Sequence, residues 1–351
     1  MAGLLDMTKF TFDGETIQAI SEMVFDEVLN APEISFIHTV FPNIVTDKEV
    51  GFIGEGGLVG VKNQGCDPQP QDWKIASRLL KWTPQDWEIL IHACWQDLKT
   101  SAAVFSLNTG TSIADFTNTD YMNIVVEVLS VAMKKFIIRL VWFNDVNAKN
   151  VSANGLITNG VDVKYFNLID GFWKQIMLQI TLNTKQRVAI TENTGTTYAG
   201  QVLVPANIVG YLQKLVFGAP ITLRSQSDGI IPCTQTFYDA YAMSLQGFNL
   251  ESMYANLVNG QRTLTYNGIP LLAMPIWDEM INAYENTGVK LNNPHRAVYT
   301  TKRVLGIGVD DESSFGNVDI WYDKDSRKVK MEGMGVADAK LTNPALFQVA
   351  I

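Results

Sequence analysis

Charge is the scarcest commodity in this sequence. Asp, Glu, Lys and Arg make up 18% of the 351 residues, against about 25% in ordinary soluble domains. The hydrophobic share is 47% and the formal net charge is −9. A free monomer of this size would carry a more charged surface, so much of this chain's surface is expected to be covered. The acidic balance, 36 Asp and Glu to 27 Lys and Arg, argues against broad phosphate neutralisation on nucleic acid.

Other absences narrow the field. The most apolar stretch, Ile124 to Phe143, is broken by Glu127, Lys134, Lys135 and Arg139. No uncharged apolar run reaches the roughly 18 residues of a membrane span. The opening residues MAGLLDMTKF lack a basic region ahead of an apolar core, so no secretory signal is expected. Three cysteines (Cys66, Cys94, Cys233) at wide spacing suggest a reducing compartment and no disulfide framework. Three histidines (His38, His92, His295) lie far apart, and none has a zinc-type partner. His92 and His295 are expected to be structural. There is no Gly-x-Ser-x-Gly nucleophile elbow.

Two glycine clusters invite and then fail a nucleotide reading. Gly54-Glu55-Gly56-Gly57-Leu58-Val59-Gly60 has valine where the dinucleotide fingerprint needs its third glycine, and no helix follows. Gly306-Ile307-Gly308 has Asp311 at the third glycine. The acidic group Asp310, Asp311, Glu312, Asp319, Asp323 and Asp325 fits no EF-hand order. Lys324, Arg327, Lys328 and Lys330 favour a solvated or ion-paired hairpin there. No catalytic, cofactor or metal site is expected.

What is present is organisation. Residues 1–47 hold one expected helix, with Ile17, Ile20, Val24 and Val28 at helical spacing. That is too little apolar face for a domain and reads as an arm. Lys48–Ile53 and Trp73–Trp82 read as extended limbs. Gly51, Gly54, Gly56, Gly57, Gly60, Pro68 and Pro70 lie on the limbs or between them. This is the pattern of a long hairpin, which cannot bury a core alone.

Thr83-Pro84-Gln85-Asp86 resembles a capping box. Trp87, Leu90, Ile91, Cys94, Trp95 and Leu98 then predict a helix over Thr83–Lys99. After a polar connector, Asp120–Asn144 reads as one long helix of about 37 Å. Helices are also predicted over Leu168–Ile180, Pro205–Phe217, Leu250–Leu257 and Ile276–Tyr284. Arg262–Tyr266 and Ile269–Met274 flank Asn267-Gly268, a strong hairpin signal. Strands are predicted at Ala297–Thr301, Val318–Tyr322, Lys328–Glu332 and Leu346–Val349. The apolar tail Ala345–Ile351 should be tied into a sheet.

An arm and a hairpin that cannot be satisfied within one subunit suggest a closed assembly. The order of parts then resembles the tailed-bacteriophage major capsid protein family, the Hong Kong 97-like fold. The resemblance rests on that order, on Asn293-Pro294-His295-Arg296-Ala297-Val298-Tyr299-Thr300-Thr301-Lys302-Arg303 leading into a strand hairpin, and on Asn267-Gly268-Ile269-Pro270 leading to Met274-Pro275. It implies an α+β fold. Residues 1–47 would be an N-terminal arm and 48–82 an extended β-hairpin loop. Residues 83–164 and 286–351 would be a peripheral domain with spine helix 120–144, and 165–285 an axial α/β domain. The predicted Thr83–Lys99 helix and the 100–119 connector exceed the minimal family plan.

By this resemblance the chain is not an enzyme. It is a major capsid protein whose hexamers and pentamers build an icosahedral shell around double-stranded DNA. The shell would assemble in the host bacterial cytoplasm. Partners would be other copies, a separate scaffolding protein or none, a portal and decoration proteins; no membrane is involved. Gly54, Gly56 and Gly57 would let the hairpin bend differently in non-equivalent positions, and Trp73 and Trp82 would anchor in neighbours. The alternatives are an encapsulin-like compartment of the same fold and a cytoplasmic α/β enzyme with its site in 147–288.

Overall fold

The computed structural model describes residues 32–44, 49–53, 77–94, 131–246, 254–256, 262–310, 318–323, 325 and 328–351. The expected helix of the arm lies outside them.

The fold rests on two sheets joined by one core. The first is organised by a long strand, β13 (Lys328–Leu341). Strand β4 (Gln85–Cys94) runs antiparallel along one edge, from Gln85 opposite Ala337 to Cys94 opposite Lys328. Strands β11 (Leu305–Val309) and β12 (Val318–Asp323) share the other edge in succession. Ala337 marks the arrangement, with Gln85 on one side and Val309 on the other. Strand β1 (Thr39–Phe41) adds in parallel to β11.

Strand β4 replaces the helix predicted over Thr83–Lys99. Trp87 and Ile89 face inward while Glu88 and Leu90 face outward, a period of two. The apolar residues at 87, 90 and 91 satisfied a helical stripe, yet the backbone found ten partners on β13 some 240 residues away. The capping signal is used differently as well. The Thr83 amide donates to Asp338 Oδ2 at 2.8 Å, and Lys340 Nζ donates to Thr83 Oγ1 at 3.1 Å. Both contacts pin Thr83 to β13.

The seven-stranded sheet has the order β5-β14-β10-β6-β9-β8-β7. Its members are β5 (Arg187–Val188), β6 (Gly229–Cys233), β7 (Tyr254–Asn256), β8 (Arg262–Tyr266), β9 (Ile269–Ala273), β10 (Ala297–Thr301) and β14 (Phe347–Ala350). Strand β7 stands within the predicted Leu250–Leu257 helix and pairs antiparallel with β8. At the β8–β9 turn Asn267 and Gly268 have φ of 51° and 78°. Both are left-handed, as a type I′ turn requires. The tail enters as predicted, with β14 between β10 and β5. The sheet takes β10 and β14 from beyond residue 285, so a division at 285/286 does not fall between the two sheets.

Both faces of this sheet are covered. Helix α1 is described over 131–143, where it ends at Asn144 as predicted and its last turn widens into a π-helix, Arg139–Phe143; the predicted start at Asp120 lies outside the described residues. Helix α2 (Phe172–Leu182) starts behind Gly171. Helix α3 (Pro205–Phe217) has the predicted bounds, with proline first and Gly218 at its end. Helices α4 (Gln235–Ser244) and α5 (Pro275–Tyr284) complete the set. One face meets α3 and α4 through Ala297, Tyr299, Ile231 and Leu271. The other meets α1, α2 and α5 through Val298, Val349, Ile230 and Leu272. Alternate residues of one strand therefore serve two apolar layers, which is why its strands are buried end to end. The second layer continues into Leu305, Ile307 and Ala339 of the other sheet.

Strands β2 (Glu49–Ile53) and β3 (Ser77–Lys81) pair antiparallel, Glu49 with Lys81 and Ile53 with Ser77. These are the two predicted limbs of the long hairpin.

Candidate assembly surface

The groups most suited to catalysis are used to hold the fold. At the centre Trp142, Trp173 and Trp277 form a cluster with ring centroids 4.4–5.2 Å apart. His38 stacks on Phe172 at 5.7 Å beside it. Trp142 Nε1 donates to His38 Nε2 at 2.8 Å, so that nitrogen is an acceptor and Nδ1–H donates to the Ile34 carbonyl at 3.1 Å. Burial pushes the His38 pKa down to about 3. His38 is a neutral structural residue, and the sequence carried no signal for its partner.

His295 belongs to the return segment. The Asn193 side chain holds its backbone from both sides, donating to the His295 carbonyl at 2.7 Å and accepting from its amide at 3.0 Å. His295 Nε2 donates to the Gln201 carbonyl at 2.6 Å, and its Nδ1 accepts from Thr236 Oγ1 at 2.9 Å. A hydroxyl beside an imidazole suggests a nucleophile and its base. The imidazole is oriented by the Gln201 carbonyl and not by a carboxylate, for Asp278 accepts from the amides of Gln235 and Thr236 at 2.6 and 3.4 Å. It caps α4 and occupies the donors that an oxyanion would need. Burial lowers the His295 pKa and raises that of Asp278.

Next in the chain, Arg296 forms a buried ion pair with Glu285 at the end of α5. Its guanidinium also donates to the carbonyls of Asn292 and Asn293 and lies 5.0 Å from the Trp173 ring centre. Asn293 takes a left-handed φ of 43°. The sequence thus marked a return point, and the structure shows a polar knot there. His92 is exposed on β4. Among the described residues no group of His, Cys, Asp and Glu could hold a metal ion, and no helix is long and apolar enough to cross a membrane.

The remaining candidates concern contact between subunits. Gly54, Gly56, Gly57 and Trp73 lie outside the described residues. Trp82 is 1% exposed inside its own chain. It packs against Phe41 at 5.9 Å and over Gly308, where a Cβ would lie 2.8 Å from the indole ring. This corrects its expected role as an anchor in a neighbour, since β1 and β11 have already claimed the ring.

Apolar surface is exposed elsewhere. Leu178 and Leu182 of α2 face outward, as do Leu90 of β4 and Met334 of β13. Phe217 and Ile221 form another exposed pair at the end of α3. Val202 and Met243 rim a cleft of about 500 Å³ at its beginning. These exposed aliphatic residues are the candidates for contact with another chain.

No family model and no curated protein matches the sequence. The fold, however, is shared by proteins that build shells. A chain of the satellite phage P4 procapsid that includes size determination (Sid) protein aligns with a TM-score of 0.55 at 12% identity, covering 97% of this chain and 92% of that one. A chain of the cyanophage P-SCSP1u capsid aligns with a TM-score of 0.50 at 10% identity, covering 90% and 86%. An SrpI encapsulin chain from Synechococcus elongatus aligns at 0.43 and 8% identity, covering 92% and 87%, a likeness too slight to carry weight. The chain has the fold of the phage major capsid proteins.

Proposed function

We propose that the protein is the major capsid protein of a tailed bacteriophage, of the Hong Kong 97-like kind. Copies assemble into hexamers and pentamers of an icosahedral shell that encloses double-stranded DNA. The observation that carries this reading is the whole-chain match to a phage procapsid chain, which extends over 97% of the residues. Exposed aliphatic surface and the low share of charge support it. In this reading 1–47 is the arm and 48–82 the extended loop that reach adjacent subunits. The α1 helix with the five-stranded sheet forms the peripheral domain, and the seven-stranded sheet with α3 and α4 forms the axial one. The acidic balance suits a wall that encloses DNA without adhering to it. Scaffolding, portal and decoration proteins are the further partners of such a shell.

Expression of the chain alone and with candidate scaffolding proteins, followed by sedimentation and negative-stain microscopy, tests the proposal. Closed particles with nuclease-protected DNA in infected cells support it. A protein cargo and no DNA would point to a compartment shell, and a stable monomer under every condition would refute the shell reading.

A further inference from the structure

The two ends of helix α3 carry opposite chemistry. Its first residue, Pro205, lines the cleft of about 500 Å³, which is also walled by Tyr198, Val202, Met243 and Ile281. Val202 and Met243 are each more than half exposed on the rim. The charges in that cleft are carboxylates, Asp239 and Asp278. Among the described residues neither is in an ion pair: Asp239 accepts from Gln235 and Asp278 from two backbone amides.

The last residue of α3 is Phe217, and Ile221 follows in a single helical turn, Ile221–Arg224. Phe217 is 50% and Ile221 75% exposed, so this end presents uncovered apolar side chains, here called the knob. The charges around it are basic. Lys185, Arg187 and Lys214 surround Phe217 on one side and Arg224 on the other. All four are exposed, and none is in an ion pair among the described residues. Thirteen helical residues separate knob from cleft, a distance of about 20 Å.

We infer that the Phe217–Ile221 knob of one copy docks in the Val202–Met243 cleft of the next, a head-to-tail contact through which the subunits of a capsomer ring succeed one another. The inference rests on the shell reading and gives it a specific interface. A knob and its cleft on different parts of one surface cannot satisfy each other within a copy, and repetition of such a contact closes a ring when the rotation allows. The cleft has the size of a site for a few side chains. Exposed cations beside the knob meet the carboxylates of Asp239 and Asp278 beside the cleft, which fixes the direction and speeds encounter. A second copy is the occupant because the chain itself carries an exposed apolar end flanked by cations, the complement in polarity and charge of the apolar, acidic cleft.

The test uses the full chain. In a background with Cys66→Ser and Cys94→Ser, where the remaining native thiol, Cys233, is buried, Val202→Cys and Ile221→Cys are introduced together, and assembled particles are treated with a short bis-maleimide. The expected result is a ladder of covalent multimers on a denaturing gel that neither variant with only one of the two introduced cysteines gives. Well-formed particles that yield only monomers would overturn this contact and leave the shell reading intact. A wild-type chain that forms neither rings nor particles would overturn both. Ile221→Asp provides an independent measurement, because an exposed site leaves folding undisturbed by circular dichroism. It should reduce assembly by at least about tenfold, the effect of losing a buried interface anchor. Assembly equal to wild type would overturn the contact.

Discussion

Acid should weaken this subunit through one imidazole. His38 is 1% exposed, accepts the Trp142 indole proton and stacks on Phe172. Its pKa falls from 6.5 in the unfolded chain to about 3 in the fold, mainly by burial. Between these values the unfolded chain binds a proton that the folded chain refuses. Stability therefore rises with pH across this window: it is lost as pH falls below 6.5 and is fully present above it. From pH 7 to pH 4 the loss from His38 alone is about 3 kcal/mol, at about 1.4 kcal/mol per unit of separation. That is a large part of the 5–15 kcal/mol that typically holds a domain together. Urea denaturation of the unassembled subunit, followed by tryptophan fluorescence at pH 4 to 8, measures it. His38→Phe keeps the stacking and removes the titration, although it orphans the Trp142 N–H and should be less stable at pH 7. The difference between wild type and variant cancels the carboxylates common to both. It should shrink by about 3 kcal/mol as pH falls to 4. A difference that stays constant with pH would refute the assignment of a neutral, buried His38.

Three further outcomes are expected. Glu285→Gln leaves Arg296 charged and buried without its carboxylate, so the subunit should lose about 3 kcal/mol in chemical denaturation; an unchanged midpoint would contradict the role given to this pair. Gly308→Ala places a methyl 2.6 Å from Ile44 Cδ1 and 2.8 Å from the Trp82 ring, and should cost about 1–3 kcal/mol by overpacking, read as a lower thermal midpoint. Deletion of residues 54–70 should leave a soluble subunit that fails to form shells, and normal shells from that deletion would dismiss the hairpin as a clamp.

Local signals carried a good part of the fold. Pro205 and Gly218 bracket α3 because one lacks the amide a first turn can spare and the other ends the helix. Asn267-Gly268 set a hairpin because both residues accept a left-handed backbone. The strand at Ala297–Thr301 and the apolar tail were legible from their composition. Strands β6 and β11 were not read, and β4 and β7 were read as helices. For β4, β6 and β11 the deciding interaction is a ladder to a distant partner, whereas β7 pairs with the neighbouring β8. Gly229–Cys233 and Leu305–Val309 are buried throughout, so no alternation betrays them. At the candidate surface the sequence pointed to Trp82, and packing against Phe41 withdrew it. The knob and the cleft at the ends of α3 had no motif, since Val202, Phe217, Ile221 and Met243 are ordinary residues until folding leaves them exposed.

By itself the sequence determined a chain poor in charge, two extended limbs of a hairpin, and helices and turns stopped by proline and glycine. These are properties of composition and of a few neighbouring residues, where steric and capping effects act over one turn. Tertiary structure alone decided that a strand follows Thr83, that His38 is held neutral between Trp142 and Phe172, and which aliphatic residues remain uncovered. Those outcomes depend on partners up to some 250 residues away, whose hydrogen bonds and buried area outweigh the few tenths of a kcal/mol per residue that local propensity supplies.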